Sequence, residues 1–108
     1  MSGWYQLSQG STGKWRFVLK AANGEPILAS EHYNSRAAAE KGIASVQVNS
    51  PKDERYEKKV AKDGKPYFNL KAANHEIIGT SEQYSSEAAR DKGIASVKAN
   101  GPSTVIKE

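Results

Sequence analysis

The sequence predicts an α+β protein in which two tandem βββα(β) repeats share one antiparallel β-sheet, with two helices packed on one face. The main observation is a duplication: residues 17–51 and residues 68–102 match at 22 of 35 positions when the chain is aligned on itself with an offset of 51. A second observation is that both copies show the same order of strand, hairpin and helix signals. An internal period of this length is typical of a repeated structural module.

Three strands are predicted at the start of each repeat. In KWRFVLKA the apolar Trp15, Phe17 and Leu19 occupy alternate positions, which is typical of a half-buried strand. The dipeptide Asn23-Gly24 predicts a two-residue hairpin turn with positive φ at both positions, and EPILAS is the returning strand. In the second repeat Asn74-His75 predicts a looser turn, because histidine is less suited to positive φ. The segments WYQLS and RYEKKVA are predicted to form the first strands.

A helix of about four turns is predicted after the strands of each repeat. Ser35 and Ser86 are good N-cap residues, and the alanine-rich segments that follow end near Asn49-Ser50-Pro51 and Asn100-Gly101-Pro102. Glycine inside a helix costs about 1 kcal/mol relative to alanine, so the glycines on the inner stripe are expected to permit close approach to the sheet. This stripe consists of Ala38, Gly42, Ile43 and Val46 in the first helix and of Ala89, Gly93, Ile94 and Val97 in the second.

The two repeats are expected to form a single domain, 1–108, made of repeat one (1–51) and repeat two (52–108). A unit of about 50 residues buries too little surface to be stable alone. The duplication supplies the partner unit within the same chain. We therefore expect a monomer that is internally a pseudo-dimer, with a pseudo-two-fold axis relating residues 51 positions apart.

The repeated motifs resemble the YegP-like family of small bacterial proteins of unknown function. The resemblance rests on KWRFVLKAANGEPI, SEHYNS and GIASVQVN in the first copy and on YFNLKAANHEII, SEQYSS and GIASVKAN in the second. It implies units of three strands, a helix and a further strand that is exchanged between units. STVIK, Ser103 to Lys107, would then be the closing strand of repeat two, and RYEKKVA would serve both repeats. Pro66 in place of Trp15, and His75 in place of Gly24, are expected to change local pairing only.

Composition excludes several classes of protein. No apolar run approaches the roughly 20 residues of a transmembrane helix, and the absence of cysteine excludes disulfides and thiolate metal sites. The N-terminal sequence lacks the pattern of a secretory signal, so a cytoplasmic bacterial protein is expected. The formal net charge is +4, with 16 basic and 12 acidic residues interleaved along the chain.

Catalytic groups are scarce, and the sequence predicts neither an enzyme nor a bound cofactor or metal. The two histidines, His32 and His75, occupy non-equivalent positions without a helical i+4 partner for metal, and surface turns are the expected location of both. Adjacent residues such as Ser30-Glu31-His32 rarely converge as a triad. No glycine-rich loop with a following Lys-Ser or Lys-Thr is present to hold a phosphate.

The preferred function is that of a non-catalytic binding or interaction module whose partner is unknown. Arg16, Lys20, Tyr67 and Lys71 are predicted on the sheet face opposite the helices, with Trp4 as a further candidate. Basic groups beside aromatic rings suit weak binding of single-stranded nucleic acid, which is the alternative, although the net charge is low for that role. A protein partner would instead use an apolar patch or an unpaired strand edge.

Polar residues kept in both repeats leave a second question open, because they could be structural pairs or a site. The structural interpretation is that the asparagines cap turns and helix ends while the lysines and glutamates form exposed ion pairs. The pairs are Lys20 and Lys71, Asn23 and Asn74, Glu25 and Glu76, Glu31 and Glu82, Lys41 and Lys92, and Asn49 and Asn100.

Overall fold

The computed structural model describes residues 3–108, so Met1 and Ser2 of the predicted first repeat lie outside the described residues. Each repeat contributes three strands and one helix, and a short strand ends the chain. The elements are β1 (Trp4–Gln9), β2 (Trp15–Lys20), β3 (Pro26–Ala29), α1 (Arg36–Asn49), a 3₁₀ turn (Asp53–Arg55), β4 (Tyr56–Val60), β5 (Pro66–Lys71), β6 (Ile77–Thr80), α2 (Glu87–Asn100) and β7 (Ile106–Lys107).

The two repeats meet in the middle of one seven-stranded sheet with the order β4-β5-β6-β3-β2-β1-β7. Residues directly opposite one another share a face, so the row Val18, Ala29, Thr80 and Asn69 lies on a single side of the sheet. The neighbouring aromatic and leucine residues of β2 and β5 project from the other side and form one core with the helices. The predicted shared sheet with both helices on one face is therefore confirmed.

The C-terminal strand is exchanged between repeats, as the resemblance implies, because β7 of repeat two pairs with β1 of repeat one. It lies parallel to β1, whereas the other strand pairs are antiparallel. The expectation that RYEKKVA serves both repeats is wrong, since β4 pairs only with β5 among the described residues. The 3₁₀ turn before β4 leads the chain directly into this strand, which leaves no residues for a separate closing strand of repeat one.

The hairpin turns differ from the two-residue turn predicted at Asn23-Gly24. The Gly24 N–H donates to the Ala21 carbonyl at 2.8 Å. Of the two residues Asn23 and Gly24, only Gly24 has a positive φ, at 86°. This is a three-residue loop in which a type I turn is followed by a left-handed residue. The prediction of a looser turn in repeat two is also wrong, because His75 adopts the same conformation at a φ of 71°. Histidine therefore occupies a backbone conformation that favours glycine.

Both helices begin as predicted, with the Ser35 and Ser86 hydroxyls accepting hydrogen bonds from backbone amides three residues later, each at 3.1 Å. Three of the four predicted stripe positions in each helix are buried, and only the first position is wrong, by one residue. Ala38 and Ala89 are only partly buried, and Ala39 and Arg90 are buried in their place. The stripe therefore consists of Ala39, Gly42, Ile43 and Val46 in α1, where Asn49 is also buried, and of Arg90, Gly93, Ile94 and Val97 in α2. The spacing of three, four and seven residues follows from the 3.6-residue period.

Glycine in the inner stripe permits a tyrosine ring to pass beneath each helix. A Cβ atom added at Gly42 would lie 2.9 Å from Phe17 and closer still to the Tyr33 hydroxyl, and one added at Gly93 would meet the Tyr84 ring at 2.6 Å. The predicted close approach is confirmed. The atoms approached are tyrosine rings that lie between the helices and the sheet.

Two tyrosines tie each repeat to the helix end of the other. The buried Tyr5 hydroxyl of β1 donates to the Gly101 carbonyl after α2 at 2.5 Å, and the Tyr56 hydroxyl of β4 donates to the Ser50 carbonyl after α1 at 2.7 Å. Ser50 and Gly101 are themselves equivalent positions in contact, because a Cβ atom at Gly101 would overlap the Ser50 side chain. The pseudo-two-fold axis therefore passes between the C-terminal ends of the helices.

Candidate functional site on the helix-free face

The four candidate residues all lie on the face of the sheet opposite the helices, but in two separate groups. Arg16 and Lys20 lie on β2, and Tyr67 and Lys71 lie on β5. The strands β6 and β3 run between these groups, which separates them by roughly 14 Å at about 4.8 Å for each strand spacing. The structure therefore gives two half-sites in place of one continuous strip.

The half on repeat two is partly neutralised. The Lys71 ammonium donates to the Glu57 carboxylate at 2.9 Å, and the Asn69 amide donates to the same carboxylate at 3.3 Å. These hydrogen bonds, that of Lys71 first, lower the pKa of Glu57. The Thr80 hydroxyl donates a hydrogen bond to the Asn69 side-chain oxygen at 2.9 Å. Lys71 thus already has a carboxylate partner, whereas Lys59, directly opposite Tyr67 on the same face, has no ion-pair partner among residues 3–108.

The half on repeat one carries basic groups around an indole ring, which we name the tryptophan corner and define as Trp4, Lys20 and Lys107. Trp4 and Lys20 are directly opposite in the β1–β2 pair, and the Lys107 ammonium lies 4.2 Å from the centre of the Trp4 ring. None of these lysines makes an ion pair with a residue of the described range 3–108. The corner therefore offers positive charge that no acidic side chain neutralises.

Two buried donors accompany this half. The Trp4 Nε1 and the Arg16 Nε have no hydrogen-bond partner among the described residues. Trp4 lines a cleft of about 480 Å³ bounded by the segment Pro102–Val105, and Arg16 lines a smaller depression of about 240 Å³ that also includes Thr80 and the acidic Glu82. Each of these side chains therefore lines a hollow and carries a buried donor that the protein leaves without a partner.

The remaining candidate polar residues divide into structural and exposed ones. The Asn23 and Asn74 side chains accept from backbone amides two residues later, each at 3.1 Å, which confirms the turn-capping interpretation. Asn49 and Asn100 bond the ends of their own helices. Glu31, Glu82, Lys41 and Lys92 are exposed, and none of them has an ion-pair partner within residues 3–108.

Both histidines are exposed in loops, as predicted. From Gly3 to Glu108, no three side chains of the metal-binding types His, Asp and Glu come together in a group that would hold a metal ion. None of the helices in that range is long and apolar enough to cross a membrane.

Comparison with known proteins assigns the family. The model of the Domain of unknown function (DUF1508) matches twice, over residues 11–57 and 61–108. The chain belongs to this family. It is 62% identical to the UPF0339 protein YegP of Escherichia coli K12 over 108 residues, which cover 100% of this chain and 98% of that protein. A UPF0339 protein of Acinetobacter baylyi is 64% identical, with 100% and 97% of the two chains covered.

Solved structures of two relatives share the fold. The solution structure of the protein of unknown function yegP from E. coli superposes with a TM-score of 0.94 at 63% identity, covering 99% of this chain and 92% of that one. The solution structure of a UPF0339 protein from Shewanella oneidensis gives a TM-score of 0.93 at 64% identity, covering 99% and 91%. The relatives carry no assigned catalytic activity in their names, and the family resemblance seen in the sequence is confirmed.

Lys107 is the site residue that the sequence did not reveal. Its place beside Trp4 depends on the parallel pairing of β7 with β1, in which Lys107 lies opposite Gln6. Nothing in the residues around it specifies that register. The signal available in the sequence was the exchange of the last strand, which brings the C-terminus to the first strand without fixing which residues meet.

Proposed function

We propose that this chain is a non-catalytic binding module and that its ligand contacts the helix-free face through the tryptophan corner and Arg16. The observation that carries this proposal is the contrast between the two halves of that face. Lys71 has an acidic partner at 2.9 Å, whereas Lys20, at the equivalent position in repeat one, has none among residues 3–108. Repeat two keeps one unpaired lysine on this face, Lys59 beside Tyr67, whereas repeat one has Arg16, Lys20 and Lys107 without an acidic partner in that range.

Single-stranded nucleic acid is the ligand class that we propose to test first. It combines phosphates, which lysine and arginine contact, with planar bases, which stack on aromatic rings for about 1 to 3 kcal/mol each. The Trp4 ring and the neighbouring lysine ammonium groups supply both kinds of contact. Because the basic groups of this face form two separate clusters, with more of them on repeat one, we expect weak binding that spans only a few nucleotides.

The test is a titration of isotope-labelled protein with short single-stranded RNA and DNA at low and at physiological salt. We expect shifts at the Trp4 indole, Arg16 and Lys20 that weaken as salt is raised, because phosphate contacts release counterions. Lys20→Ala should weaken binding, and Lys71→Ala is the matched control that should change it little. Absence of shifts at low salt would exclude nucleic acid, and shifts confined to Tyr67 and Lys71 would show that the site is on the other half.

We also propose that the module works as a cytoplasmic monomer. The support is that the duplication already pairs the two repeats through one sheet and one core. Light scattering should give the 11.7 kDa of a single chain. A mass twice as large would mean that another copy covers part of the surface assigned to the ligand.

A further inference from the structure

The two outer edges of the sheet are equivalent by the internal symmetry, but only one of them is covered. Beside β1, the Tyr5 N–H donates to the Val105 carbonyl at 2.9 Å. The Ser103 hydroxyl donates to the Gly3 carbonyl at 2.6 Å, and the Gln47 amide donates to the Ser103 carbonyl at 2.9 Å. Beside β4, no strand of the described chain other than β5 is paired.

The chain paths after the two helices show why the second edge is open. The Ser103 N–H donates to the Asn100 carbonyl and the equivalent Lys52 N–H donates to the Asn49 carbonyl, each at 3.0 Å. Beyond these residues the paths separate. Residues 104–107 continue along β1, whereas the 3₁₀ turn Asp53–Arg55 leads into β4. The track that would run along the outside of β4 therefore contains no residue of the described chain.

A groove of about 390 Å³ lies on this track, between β4 and α2. Its apolar floor includes Tyr56 and Ile94, and its rim carries two ion pairs, Lys58 with Asp91 and Lys98 with Asp53. In repeat one the position equivalent to Lys98 is Gln47, whose side chain holds the covering segment at the Ser103 carbonyl. The groove is thus the counterpart of the surface that residues 103–108 cover in the first repeat.

The backbone of β4 has hydrogen-bonding groups directed outward. Because Tyr5 donates outward to Val105, the equivalent alternation in β4 directs the backbone groups of Tyr56, Lys58 and Val60 away from β5. The Tyr56 N–H is used by the preceding turn, where it donates to the Asp53 carbonyl. An added strand would therefore bond first to the Tyr56 carbonyl and then to the Lys58 amide.

The charges along β4 indicate what an added strand would contain. In the β1 register, Ile106 lies opposite Tyr5 and Lys107 opposite Gln6, so Glu108 follows at Leu7. Placed on β4 in the same register, these three residues would face Tyr56, Glu57 and Lys58. Glu57 and Lys58 already pair with Lys71 and Asp91, so a basic and then an acidic residue would join these pairs. A segment with the order apolar, basic, acidic therefore places no like charges opposite each other, and opposite charges across a strand pair are favourable.

We propose that the edge of β4 binds an extended segment of another protein, parallel to β4, with an apolar, a basic and an acidic residue in succession. The apolar side chain enters the groove over Tyr56 and Ile94. A second copy is the less suitable occupant. Moving its C-terminal segment to this edge would uncover its own β1, and antiparallel pairing of β4 with another β4 centred on Lys58 would place two lysines opposite each other at the centre. The same pairing would place Glu57 opposite Lys59, so the test includes a mass measurement that distinguishes a second copy from a segment of another protein.

The test uses the synthetic peptide Ser-Thr-Val-Ile-Lys-Glu, which has the sequence of residues 103–108, titrated into the isotope-labelled full chain. We expect fast-exchange shifts at Lys58, Val60 and Ile94 and none at Tyr5 and Leu7. Interchanging the lysine and glutamate of the peptide should weaken binding by about two- to fivefold, the usual range for cross-strand charge pairs. Shifts at Tyr5 and Leu7 alone would mean that the peptide only displaces β7, and would overturn the proposal.

The contribution of backbone hydrogen bonds between β4 and the peptide is tested with separate variants. Lys58→Pro removes an outward amide at an edge position that tolerates proline, and should weaken binding about tenfold, whereas Lys58→Ala keeps the amide and should weaken it far less. Should the proline variant fail to fold, the peptide supplies an equivalent test. N-methylation at its lysine removes the donor that faces β4, and N-methylation at its isoleucine modifies an amide that faces away.

Three results would overturn the proposal. Equal affinity of the two N-methylated peptides would show that no strand is added, and absence of shifts at millimolar peptide would show that the edge does not accept this chemistry. Concentration-dependent shifts at Lys58 and Val60 without peptide, together with twice the 11.7 kDa chain mass, would assign the edge to a second copy.

Discussion

The interior of the two repeats is nearly the same, and the periphery is not. Phe17 stacks on Tyr33 with ring centres 6.1 Å apart, and Phe68 stacks on Tyr84 at 6.2 Å. At the outer edges, by contrast, the buried Leu7 of the covered strand β1 corresponds to the exposed Lys58 of the open strand β4. Packing constrains both copies of a core position equally, whereas an edge position is constrained only where another strand covers it.

The interior symmetry is broken in the helices, where Arg90 replaces Ala39, and at the axis between the repeats. Leu28 and Gly79 are equivalent, and a Cβ atom added at Gly79 would lie 2.6 Å from the Leu28 side chain. Two leucines would not fit in this space. One repeat therefore fills the shared volume, and the other leaves it empty.

The largest expected effect is the loss of that single leucine. Leu28→Gly should lower the free energy of unfolding by about 3 to 5 kcal/mol through the cavity and the added strand flexibility, and Gly79→Leu by about 1 to 3 kcal/mol through overpacking. In the double variant the leucine from position 79 can fill the vacated volume. Chemical denaturation should show it at least about 2 kcal/mol more stable than the sum of the single effects. Additive losses would show that the two positions do not share one space.

The next effect concerns the helix glycines. Gly42→Leu and Gly93→Leu should each lower the free energy of unfolding by about 1 to 3 kcal/mol, because each side chain would overlap a tyrosine ring. Gly42→Leu should be the more damaging, since Phe17 is also within 2.9 Å of the added Cβ. Exposed Ala95→Leu in α2 is the control, with little change expected. An unchanged denaturation midpoint for both glycine variants would place the glycines away from the tyrosine rings.

The buried hydroxyls of Tyr5 and Tyr56 should make the free energy of unfolding depend on pH in the alkaline range. Burial raises the pKa of Tyr5, with a smaller effect from Tyr56, and burial also raises the pKa of Tyr56. Above about pH 10 the unfolded chain loses these protons while the folded chain keeps them, so stability is complete below that pH and falls as pH rises. Tyr5→Phe should reduce the slope by about 1.4 kcal/mol for each pH unit.

The loss in the free energy of unfolding at neutral pH should differ between the variants that remove the Tyr5 and the Tyr56 hydrogen bonds. Tyr5→Phe should cost about 1 to 2 kcal/mol, because the Gly101 carbonyl loses a buried donor. Tyr56→Phe should cost less, since Tyr56 is only partly buried. Identical slopes for wild type and both variants above pH 10 would contradict the burial of the two hydroxyls, and unchanged stability of both variants at neutral pH would contradict the assigned hydrogen bonds.

The smallest effect tests the turns. His75→Gly should raise the free energy of unfolding by up to about 1 kcal/mol, because it relieves a left-handed backbone conformation. Gly24→His, the matched change in repeat one, should lower it by about 1 to 2 kcal/mol. Equal and negligible changes in the two denaturation midpoints would mean that the positive φ at these positions is not maintained in solution.

The sequence was sufficient for the features that the duplication repeats. The strand and helix order, the capping serines and the shared sheet all follow from local patterns present twice. The turn conformation was mispredicted because Asn23-Gly24 suits two kinds of hairpin loop, and the choice depends on the register of the flanking strands. His75 adopts the left-handed conformation because the surrounding hairpin, paired as in repeat one, imposes it.

The candidate site was only partly predictable, for reasons of strand order. Alternation along β2 and β5 places the four chosen residues on the helix-free face. It does not show that β3 and β6 separate them, or that Glu57 comes from the next strand to neutralise Lys71. The domain boundary at residues 51 and 52 and the ligand itself stay predictions.

Amide hydrogen exchange tests most directly the claim that one edge is covered and its equivalent is open. The account predicts slow exchange at Tyr5 and Leu7, which β7 covers, and fast exchange at Lys58 and Val60, whose amides face solvent. A chain truncated before Ser103 should show exchange at Leu7 as fast as at Lys58. Protection at Lys58 and Val60 equal to that at Leu7 in the intact monomer would contradict the account.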